Sequence, residues 1–394
     1  MKNQNRVLTI DIMRGLTLFL MLFVNDLFVP GVPKWMVHTD ADFDGMGLAD
    51  WVFPGFLFMV GMAIPFAMQS RIKKGENLPL LLVHILVRTG SLLIIGILSL
   101  NASRLNPELT GLNENLWAVF MLVSVFLVWN QYKIKNNYVL FSLKATGILG
   151  LIILAAIFRS GTPEAPGWMV TSWWGILGLI GWGYLAASLV YLVSRESLWL
   201  TGLFFLLFFV LNVLDQLNLT SFLGSLKPLL GVLLSGNTPM IVIAGLFFSL
   251  LLRRLEKRDL KTWILTGLIL GIVVLVSGFV LRNWFIISKI KATPSWGMIC
   301  IGISILVFML LYLIIDVARI SKWAAVFTPA GQNSLTTYLA PDVLYHLIWM
   351  FSIPVFFYKH AEMQWMIVGG SVIWAFAMIG FAALLAKIGI RLKL

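Results

Sequence analysis

A histidine and three aspartates lie close together in the segment HTDADFDG, which contains His38, Asp40, Asp42 and Asp44. The next carboxylate, Asp50, stands at the start of a long apolar run. An imidazole accepts and returns a proton near neutral pH, and a neighbouring carboxylate can orient its ring. This grouping at the mouth of a hydrophobic segment indicates proton-transfer chemistry, which contact with lipid does not require.

The same segment resembles metal-binding patterns only in part. Its aspartates match the first half of a calcium loop, but the twelfth position is Trp51, where a bidentate glutamate is required. No second histidine or cysteine stands near His38 at zinc-ligand spacing, and the single cysteine, Cys300, lies in an apolar run. We therefore predict no metal site. Asp50 has an alternative role as the N-cap of the helix that follows it.

The composition indicates whether water or lipid surrounds the elements that carry these residues. Hydrophobic residues make up 60% and charged residues 12% of the 394 residues, and the mean hydropathy is +0.93. Such a chain is too apolar for a soluble globular protein. The net charge of +12 comes from short basic clusters between apolar runs, so it indicates membrane orientation and no nucleic-acid partner. We expect a single membrane domain over residues 1–394.

Apolar windows long enough to cross about 30 Å of hydrocarbon predict the membrane spans. Nine long windows lie near residues 8–28, 49–69, 80–100, 138–158, 170–193, 262–281, 296–316, 333–352 and 365–387. Shorter candidates lie near 115–130, 198–216 and 237–252. The prediction is an all-α polytopic transmembrane helix bundle with about 10–12 spans, lying in the lipid bilayer.

The basic residues predict how the bundle is oriented. With the N-terminus inside, eighteen lysines and arginines fall in cytoplasmic segments and eight fall outside. The densest cytoplasmic group is Arg253, Arg254, Lys257, Arg258 and Lys261. This bias predicts a multi-pass protein of the plasma (inner) membrane with both termini cytoplasmic, and it places His38 on the far side. Asp11 and Arg14 interrupt the first apolar window, so we expect that helix to be retained.

Ionisable residues inside spans are costly unless they pair or meet water. Asp11 and Arg14 stand three residues apart on one helical face, where they form either a structural pair or a cofactor contact. Arg88 has no partner in its own helix and needs a carboxylate, a carbonyl or a phosphate elsewhere. Asn25 and Asp26 end the first span, which places an amide and a carboxylate near the depth of His38.

Several segments resemble the transmembrane acyltransferases related to heparan-alpha-glucosaminide N-acetyltransferase, a family with bacterial members associated with amino-sugar use. The segments that carry the resemblance are LTIDIMRGLTLFLMLFVND, HTDADFDGMGLADWVFPGFLFMVGMAIPFA, RTGSLLIIGIL, PSWGMICIGISILVFMLLYLIIDV and GQNSLTTYLAPDVLYH. The first two are the most specific, and the region from about 100 to 235 matches weakly.

The resemblance implies an enzyme that moves an acetyl group from cytoplasmic acetyl-CoA to a glucosamine-type amino sugar on the other side of the membrane. His38 matches the active-site histidine of that family, and Asn25 resembles its essential asparagine. Asn25 would donate to the oxyanion of the thioester carbonyl. Asp26, Asp42 or Asp44 is expected to orient the imidazole.

The other assigned residues concern the two substrates. Acceptor binding is assigned to the same three aspartates together with Asp50 and Asn333, although Asn333 is equally suited to helix capping. Arg14 and Arg88, which lie within spans, are assigned to acetyl-CoA, the co-substrate, because phosphate and pantetheine groups require cationic and polar partners.

Two questions stay open at this point. The imidazole either removes a proton from the attacking amine or carries the acetyl group itself. The alternative function is a secondary transporter for a sugar or amino sugar in which His38 and the aspartates couple protons. Transporters commonly show paired repeats, and the sequence shows none. A homodimer is compatible with the sequence.

Overall fold

The computed structural model describes residues 7–255, 259–360 and 363–394. Most of these residues are helical, and the predicted all-α fold is confirmed. The helices are α1 (Leu8–Asp26), α2 (Leu48–Ile72), α3 (Leu78–Ala102), α4 (Pro107–Thr110), α5 (Glu114–Trp129), α6 (Asn137–Ile157), α7 (Gly175–Ser194), α8 (Leu198–Gln216), α9 (Lys227–Leu234), α10 (Asn237–Leu255), α11 (Leu260–Leu281), α12 (Pro294–Tyr312), α13 (Thr328–Gln332), α14 (Ser334–Met350) and α15 (Gln364–Lys387).

Short irregular elements connect these helices. A π-helical turn, Leu313–Val317, extends α12, and a small antiparallel hairpin follows α6. The hairpin consists of β1 (Ser160–Thr162) and β2 (Ala165–Gly167). The 3-10 segments are Val29–Gly31, Lys34–Met36, Ser221–Leu226, Lys322–Phe327 and Pro354–His360.

Ten helical segments within the described ranges are long and apolar enough to cross a membrane, a number inside the predicted range. They include α8 and a continuous segment, Ser221–Leu255, that contains α10; both had been shorter candidates. The predicted window 333–352 corresponds to α14, which has only 17 residues, and α5 has 16. The protein is therefore a multi-pass membrane protein.

Polar side chains set where several helices begin. The side-chain oxygens of Asn77, Asn113, Ser197 and Asp259 accept hydrogen bonds from the backbone N–H groups of the first turns of α3, α5, α8 and α11. These bonds satisfy donors that the helix itself leaves unpaired. Each of these boundaries therefore follows from local sequence.

Both termini of the described chain lie at one end of the bundle, here called the terminal end. Arg14, near the start of α1, donates to the carbonyl of Gly331 in α13. The hydroxyl of Thr336, early in α14, accepts a bond from the backbone N–H of Leu392, 2.9 Å away. The start of α1, the α13–α14 junction and the C-terminal residues are thereby joined.

The opposite end, here called the loop end, carries two connections that position the predicted chemistry. Residues 27–47 join α1 to α2 and are called the His38 loop below. Residues 282–293 join α11 to α12 and are called the Lys289 loop.

Glycines allow the backbones of neighbouring helices to approach closely. A Cβ at Gly15 of α1 would lie 1.9 Å from the carbonyl oxygen of Phe327, and one at Gly331 would lie 2.0 Å from that of Asp11. A Cβ at Gly96 of α3 would lie 2.5 Å from the backbone nitrogen of Gly178 in α7. Backbone contact at these positions leaves no room for a side chain, so the glycines serve helix packing.

The predicted cytoplasmic basic group is only partly described. Two members of this group, Lys257 and Arg258, lie outside the described residues. The same is true of Lys2 and Arg6, two basic residues at the N-terminus. Arg253 pairs with Glu196 at 3.2 Å, so its charge is already partly neutralised by the protein.

Candidate active site

His38 is held by a buried carboxylate. Its Nδ1 lies 2.8 Å from Oδ1 of Asp50, and the His38 side chain is 48% exposed while that of Asp50 is 1% exposed. An ionised carboxylate only accepts hydrogen bonds, so Nδ1 is the donor of this pair. In the neutral ring the lone pair then lies on Nε2, so Nε2 is the nitrogen that can act as a base or a nucleophile.

Asp50 is itself fixed by several donors. Its Oδ2 accepts from the backbone N–H groups of Thr39 and Gly47 and from the Thr39 hydroxyl, at 3.2, 3.0 and 3.0 Å. Gly47 is the N-cap of α2, so the expectation that Asp50 occupies that position was wrong. Asp50 is the third residue of α2, and its carboxylate accepts a hydrogen bond from the backbone of the N-cap residue. It therefore caps the start of the helix and also orients His38.

A lysine from a distant part of the sequence completes this arrangement. Nζ of Lys289 lies 3.1 Å from Nδ1 and 3.3 Å from Nε2 of His38. Burial lowers the pKa of Lys289, while the negative charge of Asp50 opposes that change. Among the described residues, no carboxylate lies within ion-pair distance of Nζ. One feature of the sequence could have pointed to Lys289. It is one of the lysines on the less basic side of the membrane, and it stands shortly before the family-like PSWGMIC segment.

Asp44 connects the His38 loop to the Lys289 loop. Its carboxylate accepts from the backbone N–H of Ile287 and from Nε of Arg282, both at 2.8 Å. The hydrogen bond from Ile287 and then that from Arg282 hold the pKa of Asp44 below its ordinary value. The backbone N–H of Gly45 also donates to the carbonyl of Ile287, at 3.0 Å.

Asp42 forms a second, more exposed link between the same loops. It is 89% exposed and accepts a hydrogen bond of 2.6 Å from Nζ of Lys291. That bond and the lysine charge lower the pKa of Asp42. The expectation that Asp42 or Asp44 orients the imidazole was wrong, because Asp50 occupies that position and these two carboxylates bind cations of the Lys289 loop.

Asp26 belongs to a separate buried network. Its carboxylate accepts from the hydroxyls of Tyr345 and Tyr358 and pairs with Lys359, whose Nζ is 2.8 Å from Oδ1. The expectation that Asp26 orients His38 was therefore also wrong. The neighbouring Asn25 is exposed at the loop end. Sequence reasoning missed the two tyrosines and Lys359, which lie more than 300 positions away from Asp26.

Arg14 and Asn333 lie together at the terminal end. Nε of Arg14 donates to the carbonyl of Gly331 at 2.6 Å, and Nη2 lies 3.2 Å from Oδ1 of Asp11. Asn333 stands at the junction of α13 and α14, half-buried, and its amide donates to the carbonyl of Pro329. The predicted Asp11–Arg14 pair is present.

Arg88 lies on α3 with its guanidinium carbon 4.6 Å from the ring centroid of Tyr184 on α7. Its Nε is buried without a hydrogen-bond partner in the described part of the chain.

The assigned residues thus form groups at two ends of the bundle. Asn25 is eleven residues beyond Arg14 on α1, a separation of about 17 Å along the helix axis. His38, Asp42, Asp44 and Asp50 belong with Asn25 at the loop end. No group of three or more His, Cys, Asp or Glu side chains suited to a metal ion occurs within the described ranges.

Comparison with known sequences relates the chain to a family and to two curated proteins. The model of a family described as "Domain of unknown function (DUF5009)" matches residues 6–226. The heparan-alpha-glucosaminide N-acetyltransferase of Mus musculus is 32% identical over 134 residues, which cover 32% of this chain and 20% of that protein. The Homo sapiens protein of the same name is 32% identical over 127 residues, which cover 30% and 19%. The matches therefore span about a fifth of each curated relative.

Proposed function

The chain belongs to the DUF5009 family, and on that premise we propose that it is a membrane acetyltransferase that acts on an amino sugar. The donor is cytoplasmic acetyl-CoA, and the acceptor is a glucosamine-type amino sugar on the other side of the membrane. The observation that carries the proposal is the Asp50–His38 pair at the loop end of a polytopic bundle. The names of the two curated relatives, which describe N-acetyl transfer to a glucosaminide, supply the reaction class.

The chemistry follows from the ring orientation. With Nδ1 bonded to Asp50, Nε2 takes a proton from the acceptor amine as its nitrogen attacks the thioester carbonyl carbon. Collapse of the tetrahedral intermediate breaks the C–S bond, and the proton on Nε2 passes to the departing thiolate to give CoA. In the alternative route Nε2 itself attacks the carbonyl carbon, the C–S bond breaks, and CoA leaves as the thiolate. The amine then attacks the acetyl group on Nε2, the N–C bond to the imidazole breaks, and the proton lost by the amine passes to the thiolate to give CoA.

The remaining loop-end residues have supporting roles in this proposal. The exposed amide of Asn25 donates to the oxyanion that develops on the carbonyl oxygen. Asp42, the most exposed of these carboxylates, binds hydroxyl or ammonium groups of the acceptor, whereas Asp26 and Asp44 shape the end of the bundle through their buried or bridging contacts.

Acetyl-CoA is proposed to enter from the terminal end, which we place in the cytoplasm of a plasma membrane. Arg88 offers a buried Nε–H that has no hydrogen-bond partner among the described residues, and a phosphate oxygen would accept a bond from it. Arg14 and Asn333 flank the α13–α14 junction, where the pantetheine arm would pass toward His38.

The proposal is tested with purified protein in detergent. Acetyl-CoA and glucosamine are mixed with the wild-type protein, and free CoA and N-acetylglucosamine are measured together. The proposal predicts one CoA released for each amine acetylated. Uptake of glucosamine into protein-containing vesicles without acetylation would instead support a transporter.

A further inference from the structure

The contact between Lys289 and His38 carries an inference that rests on the proposed function and extends it. We propose that Lys289 is a catalytic residue whose ammonium group donates a hydrogen bond to the oxyanion formed on the carbonyl oxygen of the acetyl donor. The group that Lys289 would bind is the negatively charged oxygen on the carbonyl carbon of the acetyl donor. That carbon reacts beside Nε2 of His38.

The position of Nζ carries the argument. It lies 3.3 Å from Nε2, the atom that either removes the proton or attacks the carbonyl. In both routes the carbonyl carbon becomes tetrahedral next to Nε2, and the electron pair of the C=O bond moves onto oxygen. An ammonium group at this distance reaches that oxygen, and a preorganised donor of this kind stabilises the transition state more than the ground state.

The surroundings of Lys289 distinguish it from an ordinary surface lysine. The neighbouring Lys291 is exposed and is paired with Asp42, whereas within the described ranges Nζ of Lys289 lies within hydrogen-bond distance of the ring nitrogens of His38 alone. Three titratable groups on neighbouring elements face Lys289. They are His38 of the His38 loop, Asp50 of α2 and Cys300 of α12. A cation beside a candidate base that has no carboxylate partner in the described structure is available to stabilise negative charge that arises during the reaction.

The first test removes the charge. Lys289→Met should lower kcat for acetyl transfer by about 100-fold, the scale expected for loss of one oxyanion donor. Lys34→Met, which removes an exposed lysine of the His38 loop, is the matched control and should stay within about three-fold of wild type on the exposed-charge argument. Both variants must show the elution profile and melting temperature of a folded protein. A Lys289→Met rate equal to that of the control would overturn the proposal.

A second test separates charge from shape. Lys289→Cys in a Cys300→Ala background is alkylated with 2-bromoethylamine, which restores an ammonium group on a chain of lysine length, or with 1-bromopropane, which gives a neutral chain of the same length. The proposal expects the aminoethylated protein to regain at least about ten-fold over the propylated one, consistent with a charge-assisted hydrogen bond. Equal rates of the two alkylated proteins would contradict it, as would an acetyl group found on Lys289 after incubation with acetyl-CoA alone.

The pH dependence provides a readout that a purely structural lysine would not change. Burial lowers the pKa of Lys289, so its ammonium form is lost as pH rises through a value below the ordinary 10.5. The wild-type rate should therefore fall on the alkaline side, and Lys289→Met should lack that fall. The same fall in both proteins counts against the proposal. An inactive wild type would refute the proposed function itself, whereas activity that needs His38 but not Lys289 would refute only this inference.

Discussion

At the scale of single residues, Asp50 decides which nitrogen of His38 is available for reaction. Its buried carboxylate binds Nδ1 and is held in place by Thr39 and Gly47, so the ring has one preferred orientation. The half-exposed ring can still meet a substrate at Nε2. The same carboxylate caps the first turn of α2, so the start of a membrane helix is joined to the candidate base.

Replacing the imidazole should remove proton transfer without unfolding the bundle. His38→Ala is expected to reduce acetyl transfer by about 100-fold or more, the scale of general acid–base assistance. Initial rates of CoA release measure this effect. His346→Gln is the control, because His346 lies on α14 and contacts Asn115, not the His38 loop. Wild-type rates in folded His38→Ala protein would exclude His38 from the mechanism.

Removing the charge of Asp50 should impair catalysis through the ring that it orients. Asp50→Asn presents an amide to Nδ1, which allows the other tautomer and places a proton on Nε2. We expect a loss of about 10,000-fold in kcat with a smaller change in KM, as is typical when a base is held in the wrong tautomer. Steady-state kinetics with varied glucosamine separate the two parameters, and a change confined to KM would argue against this role.

At the scale of elements, the His38 loop is positioned by a loop that lies more than 200 residues away in sequence. Asp44 bonds to Arg282 and Ile287, and the hydroxyl of Ser288 donates to the carbonyl of Ala41. These bonds fix the Lys289 loop against the His38 loop, which places Lys289 on the imidazole. Two connections that are each irregular thereby hold one another in a defined geometry.

Asp44→Asn tests this link between loops. The lowered pKa of Asp44 means that its contribution to stability is complete above the ordinary value of 3.8 and is lost as pH falls through the lowered value. The variant should therefore be less stable by a pH-independent amount between about pH 5 and 8. We expect about 1 kcal/mol or less, because the pair with Arg282 is partly exposed to water.

Melting temperatures in detergent at several pH values measure that difference. Asp40→Asn is the matched control in the same loop, because it removes one exposed carboxylate that bonds to no other side chain in the described part of the protein. Equal destabilisation by the two variants would show that Asp44 does not connect the loops in solution.

The contact between α1 and α13 provides a second prediction for elements. Gly15→Ala puts a methyl group where the Phe327 carbonyl lies 1.9 Å away, so the helices must separate. We expect destabilisation of about 2 kcal/mol or more, as for an overpacked core. Gly380→Ala in α15, where an added Cβ meets nothing within 4 Å, is the control for glycine loss. Equal melting temperatures of the two variants would contradict the close contact.

The sequence predicted some of these features and not others for physical reasons. Apolar length predicted the helices, because lipid requires each span to satisfy its own backbone. His38 stood out since a polar residue beside an apolar run has few structural uses there. Lys289 and Lys359 did not stand out, because each looked like one more loop lysine and its partner lies hundreds of positions away. The carboxylate that orients His38 was misassigned for a related reason: spacing along a loop does not specify which side chain turns inward.

At the scale of the whole molecule, the two groups of assigned residues lie at opposite ends of one bundle. Arg14 and Asn333 are at the terminal end, whereas His38 and Asp50 are at the loop end. Such a division suits an enzyme whose donor and acceptor come from different compartments. It requires the terminal end to face the cytoplasm, as the distribution of lysine and arginine indicates.

Labelling of single cysteines tests this orientation. In a Cys300→Ala background, a membrane-impermeant thiol reagent added outside intact cells should label Asp40→Cys but not Lys74→Cys, since both positions are exposed and lie at opposite ends. Asp40 is a better labelling position than the neighbouring Thr39, because the Thr39 hydroxyl is bonded to Asp50. Labelling of Lys74→Cys from outside would reverse the orientation.

The most direct measurement of the central claim uses vesicles in which the protein has one orientation. Acetyl-CoA with a labelled acetyl group is supplied only at the terminal end, and glucosamine is supplied only at the loop end. The account predicts labelled N-acetylglucosamine on the loop-end side and free CoA on the other, with both absent in the His38→Ala protein. Product that forms only when donor and acceptor share one side, or glucosamine that crosses the membrane unacetylated, would contradict transmembrane acetyl transfer.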